Sequence, residues 1–237
     1  MLIHPTLEQL RGLRLDGMAK ALEEQLQTSE IEEIRFEDRL ALLIAREVTE
    51  RNYRRQQTRL RQAKLRLKNA CVEDIDFRTR RGLDKELVLF LGSCEWIVQH
   101  RNVLLTGPTG VGKTFLACAL AQKACREGYT VQYLRLSRLL EDLALAHADG
   151  RYPKLMAGFA RTDLLILDDW GLAPLSDADR RELLEILEDR HDLRSTLVTS
   201  QLLCAAAHNS CNADCEIMRS LVHLLVISAV ITAFHSA

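Results

Sequence analysis

Residues 102–114 read NVLLTGPTGVGKT, and this stretch decides the fold. The first five residues form a short apolar run typical of a buried strand, and residues 115–126 (FLACALAQKACR) have the pattern of a helix. Between them lies the pattern Gly-x-x-x-x-Gly-Lys-Thr, which turns successive backbone N–H groups into one concavity that fits phosphate oxygens. Its members are Gly107, Pro108, Thr109, Gly110, Val111, Gly112, Lys113 and Thr114. A strand before and a helix after favour a phosphate-binding loop over a chance match.

Each residue type in this loop has a defined chemical role. The three glycines permit backbone torsions and close approaches that a Cβ atom would obstruct. Lys113 places a positive charge on the β- and γ-phosphates of a nucleotide, and the Thr114 hydroxyl is a ligand for Mg²⁺. The helix that follows directs its N-terminus at the anion. The loop therefore predicts binding of ATP with Mg²⁺.

A second motif, LLILDD at residues 164–169, is an apolar run that ends in two carboxylates. Continuous Leu and Ile are typical of a buried strand in a parallel sheet, and ligands of open α/β sheets bind at the carboxyl ends of the strands. We expect Asp168 to hold Mg²⁺ and Asp169 to polarise the attacking water. The alternative is an Asp-Asp turn that caps the next helix, but Asp177 is better placed for that role.

Further strands and helices complete an alternating pattern. TLVTS at residues 196–200 predicts another strand, so Ser200 and Gln201 are candidates to contact the γ-phosphate or to orient water. Alternating strands and helices indicate a parallel sheet with right-handed crossovers. The expected fold class is α/β: a parallel-sheet P-loop NTPase core over residues 71–202, preceded by a small helical N-terminal domain over residues 1–70.

The second half of the N-terminal region is strongly basic. No acidic residue occurs from Arg51 through Val72. A helical surface of one sign suits a phosphate backbone, whereas a solvated helix face normally mixes signs in i,i+4 pairs. We therefore expect this segment to bind duplex DNA, with a bare solvated face as the alternative. The candidate DNA-binding residues are Arg51, Arg54, Arg55, Arg59, Arg61, Lys64, Arg66 and Lys68.

The last part of the chain has a different composition. The net charge is −1, which excludes no class of partner, but residues 203–237 hold only three charged side chains and three of the seven cysteines. We interpret this apolar, Cys-rich tail as out of frame or truncated. A zinc site at Cys204, His208, Cys211 and Cys215 is disfavoured because the spacing matches no common ligand pattern. The unpaired cysteines and the lack of a signal-peptide pattern favour a cytoplasmic protein.

The combination of these motifs resembles the IstB-like family of transposition helper ATPases of insertion sequences, which are AAA+ proteins related to bacterial helicase loaders. The resemblance covers about residues 1–202. It includes LRLDGMAKALEEQ (13–25) and LALLIAREVTERNYRR (40–55) besides NVLLTGPTGVGKT. It implies an ATP-dependent protein that assembles as a homo-oligomer on target DNA and activates a partner transposase. It also implies that Ser200 and Gln201 form the nucleotide sensor.

Three other functions compete with this prediction. A helicase loader would use its N-terminal region to bind a helicase, and the acid-free basic helix disfavours it. A small-molecule phosphotransferase would need a substrate lid and basic groups after the core strands, which the sequence lacks. The third is an ATP-binding remnant with little turnover. Members of the family complete the site with an arginine from the neighbouring subunit, and Arg219 lies in the altered tail, so we expect ATP binding without efficient hydrolysis.

Overall fold

The computed structural model describes residues 5–28, 31, 33–77, 83–172, 174–201 and 227–230. The chain divides into two compact units, Met1–Thr58 and Arg59–Ala237, called here the N-terminal unit and the sheet unit. The expected boundary at residue 70 is wrong. Ala63, Leu65 and Ala70 are buried in the hydrophobic core of the sheet unit, so this segment belongs to that core and not to the helical region.

The N-terminal unit is helical, as predicted. Its helices are α1 (Pro5–Gly12), α2 (Asp16–Gln27) and α3 (Phe36–Ala63), and the division between the units falls within α3. Gly17 on α2 lies directly against Glu47 on α3, and a Cβ atom at Gly17 would come within 2.7 Å of the Glu47 Cα atom. The small residue therefore allows the two backbones to approach each other closely.

The sheet unit is built on a parallel sheet with the strand order β2-β3-β4-β1-β5. The strands are β1 (Val103–Thr106), β2 (Val131–Arg135), β3 (Leu164–Trp170), β4 (Ser195–Ser200) and β5 (Ile227–Val230). The helices are α4 (Lys85–Gly92), α5 (Glu95–Val98), α6 (Lys113–Glu127), α7 (Leu136–Asp149), α8 (Tyr152–Arg161) and α9 (Asp177–Arg190). Strands β1, β3 and β4 match the predicted positions to within one residue at each end.

Two details complete the sheet unit. Residues 227–230 of the apolar tail form β5, which pairs in parallel with β1. The apolar segment thereby covers backbone groups that a strand at the sheet edge would leave unpaired. Helices α4 and α5 are separated at Cys94, whose φ of 61° is left-handed, and the Trp96 indole donates a hydrogen bond to the Leu91 carbonyl across the break.

Both faces of the sheet are covered by apolar side chains, as a parallel sheet requires. Val103 and Leu105 of β1 belong to the core on the α6 side, and Leu104 belongs to the core formed with α7, α8 and α9. The core side chains hold the carboxyl ends of β1, β3 and β4 in fixed positions, and the candidate site lies there. Among the described residues, no helix is long and apolar enough to cross a membrane.

Candidate nucleotide-binding site

The predicted phosphate-binding loop connects β1 to α6. Gly110 and Gly112 have φ values of 88° and 98°, a conformation that residues with a Cβ atom seldom adopt. Helix α6 begins at Lys113 directly after Gly112. The N–H groups at the start of α6 that precede the first intrahelical bond, from Leu116 to the Gly112 carbonyl, lack partners within the helix and are available to an anion.

Lys113 lies across the mouth of the loop. Its ammonium group donates hydrogen bonds to the carbonyl oxygens of Gly107 (2.6 Å) and Pro108 (2.9 Å). Burial lowers the pKa of Lys113, and the carboxylates of Asp168 and Asp169 act in the opposite direction. A cation that is partly removed from water is a strong partner for a phosphate, because both groups have already lost part of their hydration.

Asp168 is fully buried and accepts hydrogen bonds from three hydroxyl groups. Thr114 Oγ1 lies 3.0 Å from Oδ2, Tyr133 donates to the same oxygen, and Thr199 donates to Oδ1. Burial and the bond to Asp168 both raise the pKa of Tyr133, which keeps this hydroxyl protonated as a donor. The carboxylate is thus held in one orientation beside the Thr114 hydroxyl, the arrangement expected for a shared Mg²⁺ site.

Asp169 occupies an irregular position in the sheet. Its φ is 65°, and the pairing of β3 with β4 shifts between Leu167 and Trp170. The Asp169 N–H donates to the Thr199 hydroxyl at 3.1 Å, so a side chain replaces the usual strand-to-strand bond. Left-handed backbone at a non-glycine residue concentrates at functional sites. The irregularity turns the Asp169 side chain away from the sheet and into the cavity beside the loop.

The cavity has a volume of about 440 Å³. Its lining includes Thr109, Gly110, Lys113, Thr114, Asp169 and Gln201. A smaller cavity of about 280 Å³ shares Gly112 and Phe115 with it. This smaller cavity has a largely apolar lining from Ile75, Leu83, Val111 and Leu116. A polar chamber and an apolar chamber that adjoin at the loop suit a molecule with a charged end and a flat apolar end.

The structure separates the two predicted sensor residues. Gln201 lines the cavity, as the prediction requires. Ser200 is buried, and its hydroxyl donates to the Trp170 carbonyl at 3.0 Å while its own carbonyl accepts from the Gly107 N–H. Ser200 therefore joins the loop to β4 and does not line the cavity.

Sequence reasoning missed Tyr133 and Thr199, which hold Asp168. The contact depends on which strands are neighbours and on their register. The available signal was the hydroxyl residue Thr199 directly after the apolar pair Leu197–Val198 of a predicted strand, because buried polar groups need partners.

The expectation that the basic segment has no acidic partners is wrong for its first residues. Arg51 pairs with Glu47 at 2.6 Å, four residues earlier on α3, and Arg54 pairs with Asp16 at 2.8 Å and with Glu50. These carboxylates precede Arg51 in the sequence and therefore lie outside the acid-free run. Arg55 directly follows Arg54 in sequence, is exposed, and forms no ion pair within the described ranges.

The remaining basic residues belong to the sheet unit. Arg59 donates to the Cys125 carbonyl at the end of α6 (2.9 Å), and Arg66 lines the nucleotide cavity. Arg61, Lys64 and Lys68 are exposed. The residues of the disfavoured zinc site and Arg219 lie outside the described residues.

Comparison with known proteins agrees with this geometry. The profile of the family "IstB-like ATP binding protein" matches residues 8–232, so the family likeness extends well beyond residue 202, where the expected resemblance ended. The ATP-binding protein of insertion sequence IS1162 from Pseudomonas fluorescens is 50% identical over 85% of this chain and 87% of that protein. The insertion-sequence ATP-binding protein y4pL of Sinorhizobium fredii is 48% identical over 94% of this chain and 92% of that protein.

Among solved structures, the DnaC helicase loader superposes with a TM-score of 0.52 at 20% identity, over 69% of this chain and 97% of that one. This likeness shows the AAA+ fold. Together with the loop, the two aspartates and the strand order, the match over residues 8–232 shows that the chain belongs to the IstB-like family of insertion-sequence ATP-binding proteins.

Proposed function

We propose that this chain binds ATP with Mg²⁺ in the cavity between the loop, β3 and β4, and that it hydrolyses ATP there only slowly unless an arginine from a neighbouring subunit completes the site. The observation that carries the proposal is the convergence of Lys113, Thr114 and Asp169 on one cavity of about 440 Å³, with the buried Asp168 hydrogen-bonded to Thr114. Each group has the chemistry that a Mg²⁺-bound triphosphate needs at the position where it lies.

The phosphates and the base of the nucleotide bind in different chambers. The phosphates bind the loop N–H groups, and Lys113 exchanges its bonds to the Gly107 and Pro108 carbonyls for bonds to phosphate oxygens. The adenine lies in the apolar chamber against Phe115 and Ile75, where apolar surface favours a flat base over water.

Thr114 and Asp168 fit a Mg²⁺ site. Their oxygens lie 3.0 Å apart, and Mg²⁺ in proteins is commonly held by one or two side-chain oxygens together with phosphates and water. When bound, the ion neutralises charge that develops on the phosphates during transfer. Tyr133 and Thr199 keep the Asp168 carboxylate oriented for this task.

Asp169 and Gln201 act on the water. Both line the cavity, and the Asp169 carboxylate is about one-third exposed, so it is accessible to water while its backbone is fixed by Thr199. Asp169 accepts a hydrogen bond from the attacking water. The Gln201 amide can donate a hydrogen bond to a group beside that water or accept one from it.

At the level of the whole protein, we propose a helper that assembles in its ATP-bound form on duplex DNA as a homo-oligomer and regulates a transposase. Membership of a family of insertion-sequence proteins supports this role. The exposed cations of the basic segment support DNA binding, with Arg55 as the strongest candidate because its charge is not neutralised by an ion pair in the part of the chain that the structure describes.

Nucleotide binding is tested by titrating a fluorescent ATP analogue into the parent and into Lys113→Ala. We expect the variant to lose affinity roughly ten- to hundredfold, since it loses charge-assisted bonds to phosphate. Arg161→Ala removes a positive charge from an exposed site at the end of α8 and serves as the matched control. Equal affinities of the parent and Lys113→Ala would reject the site.

DNA binding is tested by comparing two adjacent arginines. Each phosphate contact that is lost reduces the slope of log affinity against log salt by about 0.9. We expect this reduction for Arg55→Ala and a smaller one for Arg54→Ala, whose side chain is already paired with Asp16 and Glu50. An unchanged slope in Arg55→Ala would mean that this side chain belongs to a solvated face.

A further inference from the structure

Arg66 is a basic residue that faces the nucleotide cavity. The roles proposed for the loop and for the two aspartates leave it without a function. It lines the cavity together with Thr109, Gly110 and Lys113. Its side chain is 44% exposed, so the guanidinium is accessible to a ligand. An arginine here adds a second full positive charge to a chamber whose other fixed cation is Lys113.

The position of Arg66 is fixed by the packing around it. Helix α3 ends at Ala63, and Lys64 has a left-handed φ of 52°, which turns the chain. Leu65 is then buried in the core with Leu116 and Cys118 of α6. Burial raises the pKa of the Cys118 thiol, and the adjoining backbone of Leu67 and Arg66 partly offsets this rise. The segment is therefore anchored to the same helix that begins at the phosphate-binding loop.

Arg66 has only a loose partner among the described residues. Its Nη1 atom lies 3.8 Å from Asp169 Oδ2, which is close enough for an ion pair but too long for a hydrogen bond. A guanidinium has five N–H donors in a planar fork that matches the oxygens of a phosphate. A phosphate would therefore compete well with the single distant carboxylate.

The neighbour of Arg66 indicates which phosphate is involved. A carboxylate that orients the attacking water must lie beside the phosphorus atom that the water attacks, and this is the terminal phosphate of ATP. Arg66 lies within 3.8 Å of that carboxylate. In a bound ATP the β-phosphate would face the loop N–H groups and Lys113, whereas the terminal phosphate would also lie beside Asp169 and therefore within reach of Arg66.

We propose that Arg66 binds the terminal phosphate of ATP held by its own chain, and that this contact releases the Asp169 carboxylate to accept a bond from water. This inference rests on the proposed function and extends it. It moves Arg66 from the predicted DNA-binding set to the nucleotide site. It also gives the chain a residue that distinguishes ATP from ADP, because ADP lacks the phosphate that Arg66 would bind.

The test compares a non-hydrolysable ATP analogue with ADP, both titrated into the parent, Arg66→Ala, Arg66→Lys and the control Arg161→Ala. We expect Arg66→Ala to weaken binding of the ATP analogue about tenfold or more while the affinity for ADP stays the same. Arg66→Lys should recover part of the loss, since a lysine keeps the charge but not the planar fork. The control should match the parent for both nucleotides.

Two results would overturn the inference alone, and a third would overturn the proposed function as well. If both Arg66 variants bind the ATP analogue as tightly as the parent, Arg66 does not contact the phosphate. If they weaken ATP and ADP equally, Arg66 acts on the shape of the whole cavity. A parent that binds neither nucleotide would reject the proposed function and this inference with it. Fluorescence of Trp96 and Trp170, both in the sheet unit, verifies that each variant is folded.

Discussion

In the N-terminal unit the charged side chains pair mostly at the surface of three helices, whereas the sheet unit keeps its most constrained charges in the interior. Arg11–Glu23 and Lys20–Glu50 are exposed or half-exposed pairs of the first kind. Asp168 and Arg190 are fully buried and make several hydrogen bonds each. Surface pairs contribute little to stability, but a buried charge requires every partner that it has. The two units should therefore respond differently to the loss of one polar contact.

The largest effect on stability is expected at Arg190. Its guanidinium donates to the carbonyls of Phe159, Thr162 and Ser195 and to the Thr196 hydroxyl, joining α8, α9 and β4. Burial lowers its pKa to about 10, so the group stays charged at neutral pH. Arg190→Met should reduce the free energy of unfolding by about 3–5 kcal/mol, because the carbonyls it leaves are buried without donors.

Urea unfolding followed by tryptophan fluorescence measures this change, since both tryptophans lie in the sheet unit. Arg161→Met is the control, and it should change the free energy of unfolding by less than about 0.5 kcal/mol because the side chain is exposed. Equal midpoints for Arg190→Met and the parent would remove the distinction between buried and surface charges.

The second effect concerns the close approach of α2 and α3 at Gly17 in the N-terminal unit. Gly17→Ala places a Cβ atom 2.7 Å from the Glu47 Cα atom and 2.9 Å from the Arg46 carbonyl oxygen, so α2 must move away from α3. Overpacking of this kind costs about 1–3 kcal/mol. We expect a lower midpoint for the loss of helical circular dichroism.

Gly12→Ala provides the matched control, because a Cβ atom there meets nothing within 4 Å. This substitution should be neutral or slightly stabilising. If Gly17→Ala behaves like Gly12→Ala, the contact between α2 and α3 does not determine the stability of the N-terminal unit.

The accuracy of the sequence predictions follows the same division. Strands and the loop of the sheet unit were predictable because their signals are local: continuous Leu and Ile in a strand, and glycines before Lys113 and Thr114. The orientation of Asp168 was not, since Tyr133 and Thr199 reach it from two other strands. Arg190 is a further case, because nothing in the amphipathic pattern of α9 indicates that its last residue bonds to carbonyls from distant parts of the chain.

In the N-terminal unit, the prediction that the basic segment has no acidic partners was wrong. The sequence shows a run of cations without acids, but Asp16, Glu47 and Glu50 lie outside that run and reach it through helix pairing or the preceding turn of α3. The segments LRLDGMAKALEEQ and LALLIAREVTERNYRR, which carried part of the family resemblance, contact each other through Gly17 and Glu47. A helix-forming pattern identifies each segment but not the face on which they meet.

The smallest effect is a dependence on pH. Burial alone would raise the pKa of Glu47, but hydrogen bonds from Arg51 and from the N–H groups of Met18 and Gly17 outweigh it and lower the pKa below 4.5. A carboxylate with a lowered pKa in the folded state stabilises that state above the pKa of the unfolded chain. This contribution disappears as the pH falls through the lowered value.

Glu47→Gln should therefore have a lower helical unfolding midpoint than the parent at pH 7, and the two should converge as the pH falls below about 4.5. Circular dichroism at a series of pH values measures this difference. A constant difference between parent and variant across the whole range would show that the charge of Glu47 does not stabilise the unit.

The central claim is that Thr114 and Asp168 hold Mg²⁺ beside the nucleotide, and the Mg²⁺ dependence of ATP affinity in the parent and in Asp168→Asn tests it most directly. We expect Mg²⁺ to tighten ATP binding by the parent, and we expect Asp168→Asn to lose most of that gain while it still binds ATP without the ion through the loop and Lys113. If Asp168→Asn, folded as judged by its tryptophan fluorescence, retains the full gain from Mg²⁺, the assignment of Asp168 is contradicted.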